Sequence, residues 1–179
     1  MLGTLRRVVS NPAHRFVVLF GILLAAEVVL YPIATRHCFS AVDALTTATA
    51  RIEYLLLRAF TAEAALDGKQ VQLGGFSVRI IEECTGIFEA IIFVAAVLAF
   101  PTSLARKAIG VALGVPLLYL FNLVRILVLL AVGHGRPDLF EFMHLYFWQA
   151  TLILMITSVW LLWIFKVVRH ERQDPPPPA

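Results

Sequence analysis

Residues 104–132 read LARKAIGVALGVPLLYLFNLVRILVLLAV, an almost unbroken apolar run of 29 residues. A membrane-spanning helix needs only about 20 apolar residues, so a helix this long must tilt, kink or protrude from the bilayer. Pro116 lacks a backbone donor and predicts a bend. After the basic pair Arg106-Lys107 at its start, the run contains Asn122 and Arg125, which are three positions apart and therefore share one helix face. The run predicts a membrane helix that carries a polar stripe.

Three further apolar segments, at about 16–35, 85–100 and 145–165, also have the length of membrane helices. The whole chain is 60% hydrophobic and 15% charged, whereas soluble domains are about 25% charged. Only helices and closed barrels satisfy their backbone groups in hydrocarbon. The sequence therefore predicts an all-α polytopic membrane protein with about four transmembrane helices, forming one domain over residues 1–172.

Basic residues flank the apolar runs, and this placement explains the net charge of +3 without a nucleic-acid partner. They are Arg6, Arg7, Arg15, Arg106, Lys107, Lys166, Arg169 and Arg172. The positive-inside rule then places both termini in the cytoplasm and turns the 36–83 and 133–143 connections outward. We expect a multi-pass protein of the cell inner, or cytoplasmic, membrane, with the lipid bilayer as its first partner.

The long 36–83 connection contains two further elements. Apolar residues at helical spacings predict an outward-facing amphipathic helix over Ala41 to Ala65. Residues 71–80 alternate apolar and polar side chains around Gly74-Gly75, which predicts a small β-hairpin with a two-residue turn. The proline-rich tail at 173–179 is predicted to be disordered.

Three reactive residues from different segments are predicted to lie near the outer face. Cys84 begins the second span, where free backbone N–H groups and the helix dipole favour a thiolate. Arg125 is costly in an apolar helix, so it should face the bundle and find a partner. His144 begins the fourth span, with Trp148 one turn away on the same side. His134, which lies in a glycine-flanked turn, is the weaker histidine candidate.

Each of these residues has an ordinary structural interpretation when it is taken alone. A buried cysteine is often a small hydrophobe, Arg125 could pair with Glu27 or Glu89, and His144 could belong to an interfacial aromatic belt. Together, however, a thiol, an imidazole and a guanidinium supply the nucleophile, base and charge stabiliser of acyl transfer. The chain has no HExxH or CxxC motif, so we expect no metal and no other cofactor.

The motifs CysThrGly at 84–86 and AsnLeuValArg at 122–125, followed by His144, resemble the exosortase and archaeosortase family over roughly residues 75–163. The resemblance implies a compact single-domain membrane cysteine peptidase or transpeptidase, with Cys84, Arg125 and His144 catalytic. The supporting residues would be Thr85, Gly86, Glu89, Asn122 and Trp148. Its substrates would be secreted proteins whose C-terminal sorting tail has a short motif, a transmembrane span and a basic cluster. The cleaved protein would form a thioester on Cys84 and pass to an unknown surface acceptor.

Two other functions remain open at this point. Cys38 and Cys84 both lie on the predicted outer side, which would suit a membrane thiol–disulfide oxidoreductase in an oxidising compartment. Alternatively, Glu27, Glu89 and Arg125 could simply hold the helices together in a noncatalytic chaperone or transporter subunit.

Overall fold

The structure is a computed structural model that describes residues 11–169. In chain order its elements are α1 (Pro12–His37), α2 (Phe39–Phe60), β1 (Ala64–Asp67), β2 (Gln70–Leu73), β3 (Phe76–Arg79), a 3-10 helix (Glu82–Cys84), α3 (Ile87–Ala99), α4 (Leu104–Gly135), α5 (Pro137–Phe142) and α6 (Trp148–Trp163). The π-helical turns Met143–Phe147 and Ile164–Val168 join and extend the last two, so Pro137–Val168 is one continuous helix. Arg6, Arg7, Arg172 and the tail at 173–179 lie outside the described residues.

Within residues 11–169, three helices are long and apolar enough to cross a membrane: α1, α4 and Pro137–Val168. They confirm the prediction of a helical membrane protein. The remaining apolar helix, α3, has only 13 residues and is therefore about 20 Å long, less than the roughly 30 Å of bilayer hydrocarbon. The count of four spans stays a prediction. The 32 residues of α4 measure about 48 Å, so this helix extends beyond the hydrocarbon.

One end of the bundle is closed by aromatic side chains. The ring of Phe16 at the start of α1 lies 6.1 Å from Phe100 and 5.4 Å from Trp160. Trp163 donates its indole N–H to the backbone oxygen of Arg106 at 3.0 Å. The start of α1, the α3–α4 turn and the end of α6 therefore meet at this aromatic end, which we define by Phe16, Phe100, Trp160 and Trp163.

The opposite end carries a three-stranded antiparallel sheet in the order β1-β2-β3. Gly74-Gly75 joins β2 to β3 and Leu73 pairs with Phe76, as the sequence predicts. Gly74 has a φ of 56°, a left-handed conformation that is costly for other residues. The sequence did not predict β1, which pairs along β2 from Ala64 to Asp67.

The predicted helix over Ala41 to Ala65 was wrong at its C-terminal end, because α2 stops at Phe60. Thr61 turns the chain into extended backbone, with φ −148° and ψ 147°. Ala64 then pairs with Leu73. Strand pairing with a segment further along the chain therefore overrides the local helical pattern.

The predicted turn over residues 133–143 was also wrong. The α4 helix continues to Gly135, Arg136 alone breaks the chain direction, and the next helix begins at Pro137. Proline suits the first helical position because its missing N–H would have no partner there. Arg136 pairs with Asp138 at 2.9 Å in the same first turn. As a result His144 lies within a helix rather than at its start.

The sheet and α2 cover the C-terminal half of α4. Ala50 and Leu57 of α2, Val71 of β2, and Ile126 and Leu130 of α4 are buried in one apolar cluster. This cluster lets α4 project beyond the hydrocarbon without exposing its apolar face to water. At its far end, a Cβ on Gly133 would overlap the ring of Phe76, so the hairpin sits directly on the helix backbone.

One acidic residue, Glu53, is buried where α2 packs on this cluster. Glu53 is 0% exposed, and neither carboxylate oxygen has a hydrogen-bond partner among the described residues. Burial raises the pKa of Glu53 from 4.5 to about 8. The carboxyl is therefore neutral in the folded protein at neutral pH, since the charged form is poorly solvated there.

Glu53→Gln is expected to remove a pH dependence of stability. In the wild type the unfolded chain loses this proton near pH 4.5 and the folded chain keeps it up to about pH 8. Stability from this group is therefore full below pH 4.5 and is lost as pH rises to about 8, a change on the order of a few kcal/mol. Thermal unfolding in detergent across this pH range measures it. Glu141→Gln, at an exposed position, is the control, and equal pH dependence in wild type and Glu53→Gln would contradict the assignment.

Candidate active site

Cys84 is half-buried in a short turn that leads into α3. The 3-10 helix Glu82–Cys84 is closed by the Thr85 hydroxyl, which donates to the Glu82 carbonyl at 2.6 Å. Gly86 follows with a φ of 77° and caps the start of α3. Only glycine enters this conformation at low cost. The CysThrGly motif thus has a local structural reason, and we call residues 82–86 the cysteine turn.

Asn122 of α4 connects the cysteine turn to the buried arginine. Its side-chain nitrogen donates to the Cys84 carbonyl at 2.6 Å, and its side-chain oxygen lies 3.4 Å from Nη1 of Arg125. The same Nη1 lies 4.0 Å from Oε1 of Glu89 in α3. Asn122 is 1% exposed and Arg125 is 9% exposed. The structure therefore brings Cys84, Asn122, Arg125 and Glu89 together.

Of the two carboxylates considered as partners for Arg125, the structure uses Glu89. Within residues 11–169, no ion pair joins Arg125 to Glu27 of α1. Glu89 sits in the first turn of α3, where the positive end of the helix dipole also stabilises a carboxylate. The buried guanidinium is thus neutralised across the α3–α4 contact, beside the cysteine turn.

His144 approaches the site from the last helix. Its ring stacks on Phe140 at 5.6 Å and 5°, and Phe140 meets Phe76 edge-on at 5.0 Å. Within residues 11–169, no hydrogen bond joins the Cys84 thiol to His144. The imidazole is therefore held by its stack on Phe140, and its approach to the Cys84 thiol stays a prediction.

The other candidates take different positions. His134 packs against the hairpin, since a Cβ on Gly74 would lie 2.5 Å from its ring. Trp148 is buried beyond the π-helical turn, edge-on to Phe147 at 5.4 Å. Cys38 is exposed at the α1–α2 junction and Cys84 is half-buried, and both are free thiols. No group of three or more His, Cys, Asp or Glu residues that could hold a metal occurs in the described part of the chain.

Buried polar atoms without hydrogen bonds are concentrated in the predicted site residues. Residues 11–169 contain eight such side-chain atoms, and four of them belong to this set. These four are Oε2 of Glu89, Nε of Arg125, Nδ1 of His144 and Nε1 of Trp148. Buried polar groups are normally paired, so each exception calls for a physical explanation. These atoms would lack partners in the free protein if they form hydrogen bonds to a substrate.

Two tyrosines in the walls of the site were not identified from the sequence. Tyr31 of α1 contacts Phe88 at 4.3 Å, in the first turn of α3. Tyr119 shares a hydrogen bond of 3.0 Å with Thr49 of α2, one turn before Asn122. A groove of about 450 Å³ runs from Thr85 and Gly86 down to Tyr119. The sequence feature that could have identified them is a tyrosine within an apolar segment, because a buried hydroxyl usually needs a hydrogen-bond partner.

The fold and the site define a polytopic helical membrane protein with one buried polar centre at a cysteine turn. A family model described as transmembrane exosortase matches residues 8–164, most of the chain, so the chain belongs to the transmembrane exosortase family. The family match confirms the resemblance based on the cysteine, arginine and histidine motifs. No curated protein and no solved structure matches this chain.

Asn122→Ala is expected to destabilise the site, because it leaves the Cys84 carbonyl buried without its donor. An orphaned buried acceptor costs about 1–3 kcal/mol. Thermal unfolding in detergent measures the loss, and alkylation of Cys84 in a Cys38→Ala background should become faster as the turn loosens. Phe121→Ala changes the neighbouring, exposed side chain of the same helix and serves as the control. Identical unfolding and alkylation in the two variants would mean that the Asn122 hydrogen bond does not hold the turn.

Proposed function

We propose that this exosortase is a membrane-embedded cysteine peptidase or transpeptidase that cleaves C-terminal sorting signals of secreted proteins. The observation that carries the proposal is the Asn122 bridge between the Cys84 carbonyl and Arg125. A buried guanidinium is expensive in a membrane helix, yet here its Nε has no hydrogen-bond partner among the described residues. An arginine that only joined two helices would be expected to use all its N–H donors in the protein. An arginine that stabilises an oxyanion must keep one N–H donor free for the substrate.

In the proposed mechanism His144 accepts the proton of the Cys84 thiol and the thiolate attacks the scissile carbonyl carbon. Arg125 stabilises the negative charge that develops on the carbonyl oxygen. The intermediate collapses with cleavage of the C–N bond, and His144 protonates the departing amine. The remaining thioester is then attacked by a nucleophile of the surface acceptor or by water, which releases the Cys84 sulfur. Catalytic hydrogen bonds are often long in free enzymes and tighten with substrate. This mechanism therefore requires the Cys84 thiol and the His144 imidazole to come within hydrogen-bond distance when the substrate binds.

The distribution of basic residues supports an orientation for this mechanism. Five basic residues lie within or just after the terminal turns of the helices that meet at the aromatic end: Arg15, Arg106, Lys107, Lys166 and Arg169. The positive-inside rule places that end in the cytoplasm. The cysteine turn then opens on the outer side of the cytoplasmic membrane, with α3 as a short fourth crossing. Because α3 is about 20 Å long, the thiol would lie about 10 Å below the outer edge of the hydrocarbon.

Cys84→Ala is expected to abolish processing, because the thioester cannot form. Cys38→Ala is the matched control, since it removes the other cysteine from an exposed helix junction, and it should retain wild-type processing. The assay is co-expression with a secreted reporter that ends in a polar motif, an apolar span and a basic cluster. Reporter cleavage and membrane release are followed by immunoblotting.

The same pair of variants separates the proposed function from its rivals. A thiol–disulfide oxidoreductase would lose activity with either cysteine, because its redox cycle needs both sulfurs. A noncatalytic subunit would tolerate Cys84→Ala. Full reporter processing by Cys84→Ala protein would therefore rule out the peptidase.

Arg125→Lys is expected to fold and to process the reporter at least 100-fold more slowly, by analogy with the loss of one oxyanion donor, which costs about 10²–10³ in rate. Lysine keeps the positive charge near Glu89 but lacks the planar set of donors that can bind Asn122 and the substrate together. Melting temperature reports the fold and single-turnover cleavage reports the chemistry. Wild-type cleavage by the lysine variant would reduce Arg125 to a bundle-stabilising residue.

A further inference from the structure

The hydrogen bonds between β2 and β3 define which main-chain groups of β3 point away from the sheet. Ile80 donates its N–H to the Lys69 carbonyl at 2.9 Å, so Ile80 and Lys69 face each other as a hydrogen-bonded pair. Such pairs alternate with non-bonded pairs along antiparallel strands. Arg79 opposite Gln70, and Ser77 opposite Gln72, are the intervening non-bonded pairs. The N–H and C=O groups of Ser77 and Arg79 therefore point away from β2.

These outward groups are available for another strand. Ser77 and Arg79 are both exposed, and within residues 11–169 no hydrogen bond to their main-chain groups occurs beyond the sheet. Along its other edge β3 pairs with β2, and it also contacts α4. An open edge of this kind accepts an extended polypeptide as an additional strand. The edge is short, so it would hold only a few residues of a partner.

The position of this edge relative to Cys84 indicates what the partner is. After Arg79 the chain passes through Ile80 and Ile81 and enters the cysteine turn. A cavity of about 300 Å³ lies at this end of β3, lined by Arg79, Ile81 and Glu82 with Arg36 of α1 opposite. An extended chain lying along β3 would therefore continue past this cavity to the nucleophile.

The direction of β3 also agrees with the topology of the proposed substrate. β3 begins at the hairpin, which contacts Gly133 and His134 near the end of α4. It leads toward Cys84, whose carbonyl contacts Asn122 further inside the bundle. A secreted protein with a C-terminal span runs in the same direction, because its N-terminal part lies outside the membrane and its span lies in the bilayer. Its polypeptide would run parallel to β3.

We propose that the free edge of β3 binds the substrate segment preceding the scissile bond as an added parallel strand, through the main chain of Ser77 and Arg79. This inference rests on the proposed peptidase function and assigns its substrate-binding subsite. Recognition through main-chain hydrogen bonds gives affinity with little dependence on sequence. The adjacent cavity is then placed to select one side chain near the cleavage point.

Binding to the Cys84→Ala protein tests the edge without turnover. The probes are synthetic peptides that cover the reporter segment before its apolar span, each carrying one N-methylated amide at successive positions. Loss of one hydrogen bond weakens binding roughly three- to tenfold. Methylation should weaken binding at every second position, because alternate residues of an added strand bond to β3. Equal affinities throughout the series, or weakening without a period of two, would overturn the added strand.

Two proline variants test the protein side of the same contact. Ser77→Pro and Arg79→Pro each remove an outward N–H, which an edge strand tolerates, and each should weaken the unmethylated peptide by a similar factor. Ala64→Pro removes the outward N–H of β1, on the far edge of the sheet, and should bind like the parent. Melting temperature identifies any variant that fails to fold, and the methylated peptides then carry the test on unaltered β3.

Failure of this inference can be distinguished from failure of the proposed function. Wild-type affinity in both folded β3 variants, together with loss of cleavage in Cys84→Ala, would leave the peptidase standing and refute the edge. Full cleavage by Cys84→Ala would remove the peptidase instead, whatever the peptide affinities.

Discussion

The structure depends on placing a guanidinium inside an apolar helical bundle. A charge in that setting must be neutralised and hydrogen-bonded, or it costs several kcal/mol. Arg125 meets this demand through Glu89 across the α3–α4 contact and through Asn122 on its own helix. Asn122 accepts from Arg125 through its side-chain oxygen and donates its side-chain N–H to the Cys84 carbonyl. The arginine, the start of α3 and the cysteine are consequently held by one small network.

The length of α3 is coupled to that network. The helix has only 13 residues, and it starts where Gly86 packs beside Asn122, well inside the length of α4. Residues of α2 and the sheet pack on the part of α4 beyond this level. The cysteine turn lies where the start of α3 meets this covered part of α4.

Two kinds of unpaired buried polar group occur in the described residues, and they have different physical meanings. Glu53 lies in an apolar cluster and is accommodated by staying protonated, as the raised pKa of its carboxyl, about 8, indicates. The unpaired atoms of Arg125 and His144 belong to residues of the proposed active site. Glu53 therefore affects the stability of the cap, whereas the second group has a role in the proposed mechanism.

The sequence by itself determined the three long membrane helices and the Gly74-Gly75 turn, and it suggested the three residues of the proposed mechanism. Hydropathy, helix length and turn chemistry depend on neighbours in the chain, so they are readable without a fold. Only the tertiary structure decided that Glu89 rather than Glu27 pairs with Arg125, and that Asn122 binds Cys84. It also added β1 and placed His144 inside a helix. These outcomes depend on helix rotation, strand register and the packing of distant segments, which no local pattern encodes.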